Sequence, residues 1–84
     1  MKGKILMSVR VAQVAQDIEV WVPTNLRFAE INKLTSQVAT TLTNGQFRPS
    51  QQVLLCDATS GKPFALNKTP HMVGLGNGAK AILI

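Results

Sequence analysis

From Lys4 to Val11 apolar and polar positions alternate, with Ile5, Met7, Val9 and Val11 on one parity and Leu6, Ser8 and Arg10 on the other. A period of two with β-branched residues predicts a half-buried strand. Gln13, Gln16 and Asp17 mark a turn, and a second alternating run follows from Asp17 to Val22. Ile18, Val20 and Val22 share one face there, and Glu19 and Trp21 the other. Two such runs so close in sequence predict an antiparallel hairpin, closed by Pro23.

The period then changes. Between Arg27 and Leu42, Ile31, Leu34, Val38 and Leu42 fall within roughly 80° of arc at helical spacing, with Phe28 at its edge. Asn32, Lys33, Ser36, Gln37 and Thr40 take the opposite face. This predicts one amphipathic helix, entered through Thr24 and Asn25 and stopped at Asn44-Gly45. Beyond it, a third strand is expected over Gln52–Cys56, a turn at Thr59–Lys62, a short edge strand over Pro63–Leu66, a loop over Asn67–Asn77 and a last strand from Ala79 to Ile84. The expected core is Ile5, Met7, Val9, Ile18, Val20, Ile31, Leu34, Val38, Leu54 and Leu83. Truncating Leu34 to alanine would then cost about 2–5 kcal/mol. One helix on a mixed sheet of four to five strands is an α+β two-layer domain, and this element order is that of a β-grasp spanning residues 1–84.

At 84 residues the chain has room for one core. Its formal charge of +5 raises the question of nucleic acid. The basic residues, however, stand singly along the chain, and no tyrosine is present to stack bases. Nucleic-acid binding is therefore the alternative reading. No stretch approaches the roughly eighteen apolar residues of a spanning helix, and Ser8 and Arg10 interrupt any signal-like run. One cysteine, Cys56, suits a reducing compartment, so a cytoplasmic protein without stable membrane insertion is expected.

The residues offer little for catalysis. Cys56 and His71 are the only members of their kinds, and four scattered acids match no metal site. Gly74-Leu-Gly-Asn-Gly78 lacks both the spacing and the following helix of a phosphate loop. No catalytic, metal or cofactor-binding residue is expected. The candidate chemistry is instead a binding surface: Trp21 with Leu6 on one outward strand parity, and Val53, Leu55, Ile82 and Ile84 on another. Regular alternation would put Leu54 and Cys56 inward. Large apolar side chains turned outward mark an interface with a partner or a second copy.

The run Ile18-Glu-Val-Trp-Val-Pro, the helix, Pro49-Ser-Gln-Gln-Val-Leu-Leu and the closing Asn77-Gly78-Ala-Lys-Ala-Ile-Leu-Ile resemble ubiquitin. They are more similar still to the YukD/EsaB group of bacterial ubiquitin-like proteins. The resemblance implies a small accessory or regulatory protein of type VII secretion, whose partner is a cytosolic part of the secretion membrane complex. It also implies that Leu55, Ile82 and Ile84 lie near ubiquitin's apolar recognition patch. The sequence ends at Ile84 without a Gly-Gly tail, so a non-conjugated protein is expected, the alternative being a modifier whose tail lies beyond this sequence.

Overall fold

A computed structural model describes residues 3–49 and 53–84. Strands β1 (Lys4–Val11) and β2 (Gln16–Pro23) form the expected hairpin. A short 3-10 turn at Ala12–Val14 joins them, and Ala15 closes it at a φ of 53°. Helix α1 (Phe28–Leu42) follows, then β3 (Leu55–Asp57) and β4 (Ala79–Leu83). The sheet order is β2-β1-β4-β3, with β1 antiparallel to β2 and parallel to β4. First and last strands therefore pair at the centre of a mixed four-stranded sheet beneath one helix, which is the β-grasp arrangement.

Register decides what each face carries. Val20, Met7 and Ala79 form one inward row; Ile18, Val9 and Ala81 form the next; Val11, Leu83 and Leu55 form a third. Asn77 and Gly78 set this register across 71 residues. The Leu6 amide donates to Asn77 Oδ1 at 2.8 Å, and the Gly78 amide donates to the Leu6 carbonyl at 2.9 Å. Gly78 sits at a φ of 85°, a conformation that costs a side-chain-bearing residue energy.

The helix departs from its expected orientation. Its buried residues are Phe28, Ile31, Asn32, Thr35, Ser36 and Ala39, a face turned by roughly a quarter-revolution from the predicted stripe. Leu34 is 46% exposed, Val38 37% and Leu42 55%. The small side chains of Thr35, Ser36 and Ala39 fit the thin layer above the sheet, whose bulk comes from Phe28 and from Phe47 of the following loop. Thr43 holds that loop: its Oγ1 donates to the Ala39 carbonyl at 2.7 Å and accepts the Phe47 amide at 2.9 Å. Phe28 in turn stacks on Phe64, with ring centroids 4.4 Å apart.

Other boundaries shift for local reasons. Neither Thr24 nor Asn25 caps the helix. Arg27 is the N-cap residue, and the carbonyls of Lys68 and Leu66 accept the amides of Phe28 and Ala29. The expected start of the third strand, Gln52, lies outside the described residues. Pro63–Leu66 makes only a single bridge, Pro63 to Cys56, because proline has no amide to continue a ladder. Leu54 is half-buried rather than core.

Phe28→Ala should therefore cost about 3–5 kcal/mol, and Leu34→Ala under about 1 kcal/mol, in urea titrations. Equal costs for the two would contradict this orientation of the helix.

Candidate partner-binding surface

The sheet face turned away from α1 carries the odd positions of β2 and the even positions of β1 and β4. Leu6 lies opposite Trp21, Ser8 lies between Glu19 and Lys80, and Arg10 lies between Asp17 and Ile82. Trp21 is 52% exposed and Leu6 half-buried, so the pair presents an indole edge above an aliphatic base. Arg10 Nη1 reaches Asp17 Oδ1 at 3.1 Å, the one ion pair among the described residues. Both partners are solvent-exposed, so this bridge orders side chains more than it stabilises the fold.

The structure redistributes the second expected cluster. Ile82 is half-buried on the outer face and Ile84 is 62% exposed, as parity predicts. Leu55 does not join them. It pairs with Leu83 in register and is almost wholly buried in the core. Val53 is half-buried and packs against that core. The strand's parity is thus opposite to the expectation: Leu55 points in, and Cys56 lies across from Ile82. Cys56 is nevertheless buried too, bridged by Pro63. Val53, Leu55, Ile82 and Ile84 do not assemble into one outward patch. What remains outward is Trp21 with Leu6, and Ile82 with Ile84.

A further apolar surface was not anticipated. Leu34 and Val38 of α1, with Val20, Val22 and Pro23 of β2, line a shallow groove between the helix and the sheet edge. The sequence signal for it was the run of small residues at Thr35, Ser36 and Ala39, which competes with the leucine stripe for the sheet. Among the described residues no three metal-ligating side chains gather, and no helix is long and apolar enough to cross a membrane.

With this geometry established, comparison with known proteins is informative about the fold. No family model and no curated protein matches the sequence. Solved structures do match. The ubiquitin-like domain of the Mycobacterium tuberculosis type VII secretion protein EccD1 superposes with a TM-score of 0.77 at 11% identity, over 96% of this chain and 97% of that one. The EccD5 ubiquitin-like domain from Mycobacterium xenopi gives 0.80 at 16% identity, covering 96% and 92%. A chain of the ESX-5 inner membrane complex gives 0.83 at 12% identity, over 98% of this chain. This chain spans about a fifth of the length of that one, at 21%. The fold is a ubiquitin-like β-grasp.

Burial pushes the Cys56 thiol up from its ordinary range, because the thiolate would lose its water. A raised folded-state value means that this contribution to stability is intact below the unfolded thiol's range, about 8.5, and is lost as pH rises through the folded value. Stability should therefore fall above about pH 8.5, and Cys56→Ala should flatten that part of the profile. A thiol reagent should modify the native protein slowly and the urea-unfolded protein fast; equal rates would contradict a buried cysteine.

Proposed function

We propose that this domain is a non-conjugated accessory or regulatory module of a type VII secretion system, of the YukD/EsaB kind. In this reading it works in the cytoplasm by docking onto a cytosolic part of the secretion membrane complex. The observation that carries the docking surface is the exposed Trp21 paired with Leu6 on the free sheet face. Such an indole on an apolar base, rimmed by charges, is the kind of anchor that dominates binding energy. Ile82 and Ile84 extend the contact along β4. The likeness to ubiquitin-like domains of EccD proteins supports the secretion setting, since in those proteins the same fold belongs to secretion components. The reading needs no catalytic residue, because the surface acts by complementarity alone.

Trp21→Ala should keep the circular dichroism spectrum of the parent and weaken capture of the detergent-solubilised secretion membrane complex by about 30-fold or more, a hot-spot loss of 2 kcal/mol or more. Lys33→Gln and Lys62→Gln should bind as the parent does. Capture should also survive a rise in salt that would strip a phosphate binder. Loss of binding in the lysine variants with retention in Trp21→Ala would replace this reading with an electrostatic one.

A further inference from the structure

Beyond the Pro63 bridge the chain returns to the start of the helix, and backbone hydrogen bonds fix where it lies. The carbonyls of Leu66 and Lys68 accept the amides of Ala29 and Phe28, and the His71 amide donates to the Thr24 carbonyl. The Thr24 amide in turn donates to the Gly3 carbonyl at 3.0 Å. One end of the molecule therefore gathers the start of β1, the end of β2, the helix N-cap Arg27 and residues 66–73. Thr69 and Pro70 are buried there as the base of a turn. Thr69 Oγ1 accepts the Met72 amide at 3.2 Å, and the Thr69 carbonyl accepts the Val73 amide at 3.2 Å. The Pro70 carbonyl accepts the Leu75 amide at 3.0 Å and completes the turn. Met72 is 64% exposed, more than any other large apolar side chain among the described residues, and Leu66 and Val73 are exposed as well. This apolar exposure is built into a hydrogen-bonded turn with a buried base, so it does not arise from a frayed end.

The charge at this end is positive, in keeping with the +5 of the whole chain. Lys4, Arg27 and Lys68 are exposed, and none of them makes an ion pair among the described residues. The acid that opposes them is Glu30, in the first turn of the helix. Asp17 and Glu19 lie farther along β2, opposite Arg10 and Ser8, and Asp57 is engaged in its own turn with Thr59 and Ser60. From Ala58 to Ile84 the sequence holds no acid at all. A second copy meeting this end with its own would set cations against cations. A nucleic acid would use the cations, but residues 66–73 offer no aromatic ring on which a base could stack. A bilayer with anionic headgroups uses both features. Its negative surface potential attracts lysine and arginine, and apolar side chains on an exposed turn enter the boundary between headgroups and acyl chains without needing a pocket of matching shape. The unbranched, adaptable methionine side chain suits that disordered medium. We infer that the turn at residues 66–73 docks the domain peripherally onto a membrane surface rich in anionic phospholipid. Leu66, Met72 and Val73 enter the interface, and Lys4, Arg27 and Lys68 meet the headgroup phosphates. The site uses no residue of the partner-binding surface proposed above and stands without that reading.

The probe is a unilamellar vesicle of phosphatidylcholine with about one-third phosphatidylglycerol, cosedimented with the whole chain. The controls are vesicles of phosphatidylcholine alone and a DNA duplex, a polyanion without acyl chains. Affinity for the anionic vesicles should exceed that for the neutral ones by about tenfold or more. Lys68→Gln should lose about fivefold, whereas Lys62→Gln, which removes the same charge elsewhere, should stay within about twofold of the parent. The double variant Met72→Ser, Val73→Ser should lose about tenfold, and Trp21→Ala should bind as the parent does, each in protein shown folded by circular dichroism. In bicelles carrying doxyl-labelled lipid, amide signals of the ¹⁵N-labelled chain should broaden most between Leu66 and Val73. The inference is overturned if neutral vesicles bind equally, if the DNA duplex binds as tightly as the anionic vesicles, or if the serine variant binds as the parent does. Equal losses in Lys62→Gln and Lys68→Gln would also overturn it, since net charge alone would then explain the binding. Loss of vesicle binding in Trp21→Ala, or broadening centred on Ser8 and Lys80, would overturn it by moving the contact to the outer sheet face.

Discussion

The parallel pairing of β1 with β4 constrains everything else in this molecule. It joins residues near the two ends of the sequence, Met7 to Ala79 and Val11 to Leu83, and it makes β1 and β4 the two central strands, each with a neighbour on both edges. A parallel pair needs a crossover, and the helix provides it. Once β4 occupies the inner edge of β1, β2 is forced to the rim and β3 to the opposite rim. The Asn77 side chain substitutes for a strand residue in reaching the Leu6 amide, so the pairing starts from a turn rather than from a ladder. Two open surfaces follow from this constraint: a sheet face left open because only one helix exists, and a strand edge left open because the sheet ends there.

How legible this was in the sequence depended on how local the deciding contacts were. β1, β2 and β4 carry long alternating runs whose parity one hairpin and one face settle, so Ile5, Met7, Val9, Ile18, Val20 and Leu83 are buried as their alternation predicts. Within the candidate surface the same logic placed Trp21, Leu6, Ile82 and Ile84 on the outer parity. In β3 it had nothing to work with. Val53, Leu54, Leu55 and Cys56 are four consecutive apolar residues, and a regular strand forms over only three residues. Parity there is set by pairing Leu55 with Leu83, a partner 28 positions away, and both Leu55 and Cys56 end up buried, with Cys56 bridged to Pro63.

The helix shows a different limit. Periodicity identifies a helix and ranks its faces by hydrophobicity, but burial also depends on the depth available between helix and sheet. Here the alternatives differ by a quarter-turn, and the face with the bulkier side chains is not the one that packs. Phe47, from a segment outside the expected elements, and Phe64, from the expected short edge strand, bring volume to the core from the ends and leave the middle of the helix to threonine, serine and alanine. Thr43 is necessary to that solution, since its hydroxyl satisfies the Phe47 amide inside the core, where an unpaired donor would be costly. None of these contacts leaves a periodic trace.

The rotation of the helix has a consequence beyond stability. If Leu34 and Val38 packed against the sheet, the β2 edge would be flanked by polar helix residues, and its exposed backbone would be an isolated liability of the kind that proteins blunt with charge or proline. Pro23 does end the strand, and Asp17 and Glu19 add charge, so the edge is guarded against open-ended pairing with copies of itself. Yet the apolar flank of α1 is placed along that same edge, at the cost of leaving large side chains in water. The rim of the sheet at β2 thus combines charge on the strand's outer face with apolar surface on the helix side, both fixed by the orientation of the helix. The small residues of the helix core face therefore set two things at once: the thin layer above the sheet, and the apolar side chains left along its edge.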